Sequence, residues 1–195
     1  MYPHDDPLVV SVQIANTIVH RTLVDSGSSA NILFREAFDK LQIGEKHLRP
    51  VGYSVSGFTG SSVIPDGIIK LPIKIGEAST ARNLMADFLV VNVPGAYNAI
   101  AGRPLINDIQ GVVSTYHLTM IYAANDGKAA KVRGNKEVAR SCYITALKKP
   151  ISKRTEPQSE RKRKRQVAEN KDLSMENFDA REEKPIEFGP TKDTE

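Results

Sequence analysis

Apolar and polar residues alternate near the start of the chain, and this alternation predicts a pair of β-strands. Every second residue from 8 to 14 is apolar, which is typical of a strand that buries one face. A short polar turn follows at residues 15–17, and residues 18–24 then favour a second strand. Because the connection is so short, we expect the two strands to form a hairpin that ends at Asp25.

Apolar stretches further along the chain predict more of the same sheet. Residues 63–75 surround a turn at 65–67, which favours a second hairpin. Within it, residues 68–75 alternate between apolar and polar, so this strand should have one dry face and one wet face. The nearly continuous apolar run at residues 86–93 predicts an interior strand.

Two segments near the end of the apolar part of the chain are further strand candidates. They are residues 112–122 and residues 142–147. The apolar neighbours of His117 favour a packed structural histidine over a catalytic base. Cys142 has no histidine nearby in the sequence, so we expect a small buried residue rather than a nucleophile.

Helical character is confined to short segments. Residues 31–41 mix apolar and charged side chains at roughly helical spacing, after a start that is partly strand-like. An apolar strand ends at Gly102, and a helix is expected from Arg103 to about Ile109. Pro104 lies in its first turn, where a missing N–H costs little. The chain is therefore predicted to be mostly β with one short helix.

Composition changes sharply after residue 147, and this change sets the predicted domain boundaries. We expect an N-terminal extension at 1–7, one folded domain at 8–147 and a charged, disordered tail at 148–195, where apolar residues are sparse. The tail contains a basic block at residues 161–165. This block favours a solvated linker, and a nuclear-entry signal or nucleic-acid patch is the alternative.

Several classes of protein are disfavoured by what the sequence lacks. A single cysteine allows no internal disulfide, which suits a reducing, cytoplasmic compartment. No apolar run approaches the roughly 20 residues that span a bilayer, and the first residues do not resemble a signal peptide. No P-loop and no Cys/His spacing typical of a metal site occurs, so we expect no cofactor, no metal and no membrane partner.

The most informative stretch lies where the first predicted hairpin ends. An apolar strand delivers Asp25 into a loop of small residues. Gly27 permits backbone angles that other residues resist. Ser26, Ser28 and Ser29 leave room beside the carboxylate, and their hydroxyls can donate hydrogen bonds to it.

These residues carry a resemblance to a known family. The segment VDSGSSANIL is similar to the active-site loop of aspartic proteases, an apolar strand followed by Asp-Thr/Ser-Gly-Ser/Ala. Together with GFTG, YNAIAGRP and STYH, it resembles the retropepsin-type protease of plant Ty3/gypsy retrotransposon polyproteins over most of residues 2–147. The resemblance implies a single-lobe, closed β-barrel.

The resemblance also implies roles for individual residues. It assigns catalysis to Asp25, Ser26 and Gly27. It assigns substrate binding to two loop serines, Ser28 and Ser29, and to a flap over the substrate formed by Gly57, Phe58, Thr59 and Gly60. It assigns structural support to a second segment that packs beside the loop, with Ala99, Ile100, Gly102 and Arg103. An ordinary surface hairpin is the alternative to the flap. Many viral relatives pair the matching arginine with an acid after the loop, but Ser29 stands there, so backbone carbonyls are the alternative partners of Arg103.

Two carboxylates that share a proton can activate water and protonate the product, because their repulsion separates their pKa values. This chain carries the motif once, so the resemblance implies a homodimer in which each copy supplies Asp25. The implied activity is an aspartic endopeptidase of retroelement origin that cleaves extended polyprotein peptides. Two alternatives stay open: a catalytically inactive remnant that acts as a dimerisation or interaction module, and a basic-tailed nucleic-acid-binding protein.

Overall fold

The computed structural model of the chain describes residues 6–56 and 62–148. The predicted flap residues Gly57, Phe58, Thr59 and Gly60 lie outside them, as does the tail from residue 149 onward with its basic block. The described elements, in chain order, are β1 (Val9–Ile14), β2 (Thr17–Val24), β3 (Ile32–Phe34), α1 (Arg35–Lys40), β4 (Val55–Ser56), β5 (Ser62–Val63), β6 (Gly67–Ile75), β7 (Arg82–Val91), β8 (Ala99–Ala101), α2 (Arg103–Asp108), β9 (Val112–Ser114), β10 (Thr119–Ala123), β11 (Ala129–Arg133) and α3 (Lys136–Lys148). Short 3₁₀ turns lie at Glu45–His47 and Ala78–Thr80.

Six strands close into a barrel in the order β1-β2-β8-β3-β7-β6. The first hairpin is as predicted, because β1 and β2 pair antiparallel with Val9 opposite Leu23 and Ile14 opposite Thr17. A longer hairpin of β6 and β7 completes the wall on the other side, and the short strands β8 and β3 lie between β2 and β7. The predicted class, a mostly β chain with a closed barrel, is confirmed.

Aliphatic side chains from alternate strand positions fill the barrel. Strand β6 buries Ile69, Leu71 and Ile73 while the residues between them face outward, which confirms the predicted dry and wet faces. Strand β7 lies between β3 and β6, so the predicted interior strand is also confirmed. Strand β7 begins at Arg82, several residues before the apolar run at 86–93 from which it was predicted.

A three-stranded sheet in the order β9-β10-β11 extends the same core. Leu118, in the turn before β10, and Met120 and Tyr122, within β10, are buried and belong to one hydrophobic cluster with residues of the barrel strands. The Ala123 N–H also donates to the carbonyl oxygen of Ile109 at 3.0 Å. This sheet is therefore part of the barrel domain rather than a domain of its own.

The hairpin predicted across residues 65–67 is wrong. Strand β5 pairs with β4, whereas β6 pairs with β7 and β1. Pro65 has no N–H to donate, and the Asp66 N–H donates to the carbonyl oxygen of Val90 at 2.8 Å. The chain thus begins to pair with β7 directly after the proline. The turn residues indicated a bend correctly, but they did not reveal the strand with which β6 pairs.

Residues 112–122 form two strands rather than the single predicted one. Strands β9 and β10 are joined by a turn in which Leu118 has a φ of 46° and donates its N–H to Thr115 O at 3.2 Å. His117 is exposed in this turn, with its Nδ1 atom 2.8 Å from Ser114 Oγ. The prediction of a packed histidine is therefore wrong.

Residues 142–147 are helical, so the strand predicted there is wrong and the described chain has three α-helices rather than one. Helix α3 begins after Asn135, whose Oδ1 accepts the Val138 N–H at 3.0 Å. Ala139 and Cys142 are three residues apart, which places both on the buried face of the helix. The burial of Cys142 is confirmed, and it raises the pKa of the thiol.

A hydrogen bond joins the three-stranded sheet to the loop that follows β6. The phenol of Tyr122 donates to the carbonyl oxygen of Thr80 at 3.0 Å, and burial raises the pKa of this phenol. Gly76 lies beside this bond with a φ of 77°. A Cβ atom there would meet Tyr122 Oη and would lie 2.7 Å from Thr80 O, so only glycine fits.

We expect Gly76→Ala to lower the free energy of unfolding by about 2–4 kcal/mol, because the left-handed backbone and the steric overlap both oppose a side chain. Gly127→Ala is the matched control: Gly127 has a φ of 78° but open space around its Cα. It should cost only about 1 kcal/mol. Urea unfolding followed by circular dichroism measures both, and equal losses would show that the overlap contributes nothing.

Candidate active site

Asp25 follows the last residue of β2, and main-chain bonds on both sides position it. The Asp25 N–H donates to Ala101 O at 3.0 Å, which extends the parallel pairing of β2 with β8 by one residue. On the other side, the Val24 N–H donates to Leu8 O at 2.9 Å. The start of the loop is therefore held by two neighbouring backbone segments, which leaves little freedom at the Asp25 Cα.

The Asp25 carboxylate is braced by the backbone of its own loop. The Gly27 N–H donates to Asp25 Oδ1 at 2.9 Å, and the Ser28 N–H donates to the main-chain oxygen of Asp25 at 3.2 Å. A backbone N–H that donates to a carboxylate oxygen fixes the orientation of that carboxylate. The side chain is only partly buried, so its second oxygen can meet a water, a substrate or another protein chain.

The hydroxyls of the loop serines do not donate to the Asp25 carboxylate as expected. The Ser28 hydroxyl donates to Ala30 O at 2.9 Å, so it closes the loop instead of bracing the carboxylate. Ser26 and Ser29 are exposed. Their hydroxyls point to no partner within the described part of the chain, which leaves them accessible to a ligand or a second copy.

Strand β8 lies between β2 and β3, so the Asp25 loop passes over it. Ile100 is opposite Leu23 in the parallel pairing and opposite Ile32 in the antiparallel one. Residues 25–31 must therefore cross from one side of β8 to the other. The predicted supporting residues Ala99 and Ile100 are in this strand, directly beside the loop that carries the acid.

Gly102, the next predicted support, allows the loop to approach the end of β8 closely. A Cβ atom at this position would lie 2.7 Å from the carbonyl carbon of Ala30 and 3.1 Å from Ser28 O. The Arg103 N–H then donates to Ser28 O at 2.9 Å. The loop and the start of α2 are thus in direct main-chain contact.

The side chain of Arg103 is exposed, and within residues 6–56 and 62–148 it bonds to neither an acid nor a carbonyl. The expectation that its guanidinium binds backbone carbonyls is not met there. Its contribution to the loop comes from the backbone N–H instead. A long exposed cation beside the loop is available to a ligand or to a second copy of the chain.

Asn31 is the supporting residue that the sequence did not reveal. It is 4% exposed, and its Oδ1 accepts the N–H groups of Gly102 at 3.0 Å and Leu105 at 3.3 Å. Its Nδ2 donates to Asp87 O at 3.0 Å. One amide thus joins the end of the Asp25 loop to the first turn of α2 and to β7. The available signal was a single amide directly before the apolar residues of β3.

A groove of about 460 Å³ opens beside Asp25. The β4–β5 hairpin forms its far wall, and apolar side chains dominate the lining: Asp25, Gly27, Ser28, Ile32, Phe34, Val55, Ser56, Val63, Val91 and Val93. This hairpin is where the flap was predicted, although the tip with Gly57 and Gly60 lies outside the described residues. The groove can seat an apolar side chain within reach of a carboxylate.

Other chemistries find little support near this groove. Among the described residues, no group of His, Cys, Asp and Glu side chains could hold a metal ion. His117 and Cys142 do not line the groove. In the same part of the chain, no helix is both long and apolar enough to cross a membrane.

We expect Asn31→Leu to lower the free energy of unfolding by about 2–4 kcal/mol, because it leaves the buried N–H groups of Gly102 and Leu105 without an acceptor. The control is Asn16→Ala at an exposed turn, which should change stability by less than about 0.5 kcal/mol. Chemical unfolding measures both. An Asn31→Leu chain as stable as the control would contradict the role given to the amide.

No protein-family model matches the chain, and no curated protein matches it. Several solved structures do match the chain over part of its length. The retroviral protease-like domain of Ddi1 from Leishmania major is 15% identical with a TM-score of 0.47, over 67% of this chain and 96% of that one. The EIAV protease complexed with the inhibitor HBY-793 is 21% identical with a TM-score of 0.42, over 56% of this chain and 94% of that one. A retropepsin-like aspartic protease from Rickettsia conorii is 15% identical with a TM-score of 0.43, over 55% of this chain and 76% of that one. At such identities and TM-scores, a functional proposal has to rest on the contacts within this chain.

Proposed function

We propose that the chain is an aspartic endopeptidase of the retropepsin type that works as a homodimer. The observation that carries the proposal is the position of Asp25: a braced, partly exposed carboxylate at the mouth of an apolar groove. Its loop crosses β8, and Gly102 joins the end of β8 to the start of α2. An acid loop beside an apolar-apolar-Gly strand is also the arrangement that the sequence resemblance implies.

The chemistry follows from what one carboxylate cannot do alone. Hydrolysis of a peptide bond needs a base to activate water and an acid to protonate the leaving amine. Two carboxylates that share one proton perform both tasks, and their titration belongs to the pair. Each chain supplies one suitable acid, so the water would lie between Asp25 of one protomer and Asp25 of its partner.

A second copy can reach the carboxylate because the loop is open on one side. Ser26 and Ser29 are exposed there. Ser26 follows the acid directly in the chain, so in the proposed dimer its hydroxyl would bond across the two-fold axis. Of the two strand candidates at residues 112–122 and 142–147, the second is helical, so a sheet between protomers would use the first, in which β9 is the edge strand. Val112 on this strand is 65% exposed and Ile121 beside it is 48% exposed, so the edge is apolar enough to pair with a copy.

The substrate would be an extended peptide with an apolar side chain in the groove. Phe34, Val91 and Val93 offer it an apolar wall, and the β4–β5 hairpin covers it from the other side. An extended chain between this hairpin and the Asp25 loop exposes its peptide bond to the carboxylates. Polyprotein cleavage and an origin in a plant Ty3/gypsy retroelement rest on the sequence resemblance.

The alternative within the same fold is a catalytically inactive dimerisation or interaction module. It would keep the barrel and the β9 edge but cleave nothing. The nucleic-acid-binding alternative depends on the basic block at residues 161–165, which lies outside the described residues. Loss of binding when that block is neutralised would favour it.

We expect Asp25→Asn to lower the cleavage rate by a factor of at least about 10³ without unfolding the chain, because the carboxamide cannot accept a proton from water. The substrate is a labelled peptide with apolar residues on both sides of the scissile bond, assayed at mildly acidic pH. Asp126→Asn, at an exposed turn, is the control and should leave the rate unchanged. Equal rates for the two variants would end the protease assignment.

Mixing the wild-type chain with Asp25→Asn at fixed total concentration tests the dimer directly. If both carboxylates are needed, the rate follows the square of the wild-type fraction, so an equal mixture retains about one quarter of the rate. A monomeric enzyme would retain about one half under the same conditions. The measurement is the initial cleavage rate after subunit exchange, and a linear dependence on the wild-type fraction would contradict the homodimer.

A further inference from the structure

A second groove, of about 690 Å³, lies on the outer face of the barrel. It runs between the β1–β2 hairpin and strand β11 and shares no lining residue with the groove beside Asp25. It is lined by Ser11, Gln13, Ile18, His20, Lys74, Gly76, Glu77, Thr80, Lys131, Val132 and Arg133. Nothing in the proposed protease mechanism uses these residues.

The charges of this second groove are unbalanced. Lys74, Lys131 and Arg133 carry positive charge, and Glu77 is the one carboxylate among the lining residues. Ion pairs form elsewhere on the surface, as between Lys128 and Asp126. Within the described ranges, none of the three groove cations has such a pair. A concave surface lined by one sign of charge concentrates ligands of the opposite sign.

The same groove borders the outer edge of β11, which is unpaired at Lys131 and Arg133. Two residues further on, the Asn135 N–H donates to the carbonyl oxygen of Val9 in β1 at 2.9 Å. Strand β11 is the outer strand of the β9-β10-β11 sheet. On its inner side, the Gly134 N–H donates to Leu118 O at 2.8 Å, and Lys128 O accepts the Ala124 N–H at 2.9 Å. Hydrogen-bonded pairs alternate along an antiparallel ladder, so the N–H and C=O groups of Lys131 and Arg133 point away from β10. No other strand in the described part of the chain pairs with them.

We propose that this groove binds an extended acidic peptide as an additional strand along β11. The peptide's backbone pairs with the outward N–H and C=O groups of Lys131 and Arg133. Its carboxylates occupy alternate positions, roughly 7 Å apart, because side chains on one face of a strand recur every second residue. They meet the Lys131 and Arg133 side chains, and Lys74 faces them from β6 across the groove.

Other occupants fit this groove less well. A second copy of the chain paired through β11 would place Lys131 and Arg133 opposite like charges, which destabilises a strand pair. Single-stranded nucleic acid binds through large aromatic side chains on which bases stack, and the lining contains no Phe, Tyr or Trp and only one imidazole, that of His20. Basic residues on an edge strand can also simply prevent unwanted pairing, in which case no peptide binds.

The test uses the full-length chain and a fluorescent peptide in which glutamate alternates with threonine, followed by anisotropy. Lys131→Gln/Arg133→Gln should weaken binding by at least about tenfold, because both cations meet peptide carboxylates. The control Lys40→Gln/Lys46→Gln removes the same charge from exposed positions outside the groove. It should weaken binding less than about twofold, since distant surface charges are screened by salt.

A second comparison separates strand pairing from simple charge attraction. The same peptide with alternate backbone nitrogens methylated keeps its carboxylates but cannot donate to β11, so it should bind at least about tenfold more weakly. Undetectable binding of the unmodified peptide would leave only the blocking role of the edge. Three other results would also overturn the proposal. They are equal binding of the methylated and unmodified peptides, equal losses of binding in the two double variants, and tighter binding of an oligothymidylate than of the peptide.

Discussion

Both ends of the Asp25 loop are tied to one short strand, and the rest of the site depends on this constraint. The Asp25 N–H bonds to the last residue of β8, and Asn31 accepts the N–H of the glycine that follows β8. The loop between them therefore cannot shift along the barrel without breaking buried hydrogen bonds. In the proposed protease, a carboxylate held in this way would be positioned before the substrate arrives, which reduces the entropy lost when the reacting groups come together.

The same constraint explains which small residues are required and where. Gly102 lets the loop backbone approach α2, and the Gly27 N–H braces the carboxylate from within the loop. The apolar groove is built on the strands on either side, with β3 and β7 below and the β4–β5 hairpin above. Strand β8 therefore contributes both to the barrel and to the position of Asp25. Changes there should affect folding first, whereas changes to the carboxylate should affect chemistry alone.

Strong local patterns allowed much of the fold to be predicted. The alternation in β6 and the apolar run in β7 are direct consequences of burial on one face or on both. Partner choice was harder: β5 pairs with β4, and the Asp66 N–H bonds to Val90 of β7, and neither contact follows from the turn residues between β5 and β6. Helix α3 was missed because its apolar end has the composition of a strand, and the bond from the Val138 N–H to Asn135 that caps its start was not predicted. At the site, the motif identified Asp25, but Asn31 acts through contacts with Gly102 and Leu105 that sequence distance conceals.

In the proposed dimer, two Asp25 loops face each other across a two-fold axis. Oxidative cross-linking of Asp25→Cys in a Cys142→Ala background tests this most directly, because Cys142 is the only native cysteine. A disulfide needs Cα atoms within about 7 Å of each other, so it reports the facing of the loops and not mere association. The account predicts a covalent dimer that forms rapidly under mild oxidation and disappears with reductant. A folded chain that stays monomeric under these conditions would contradict it.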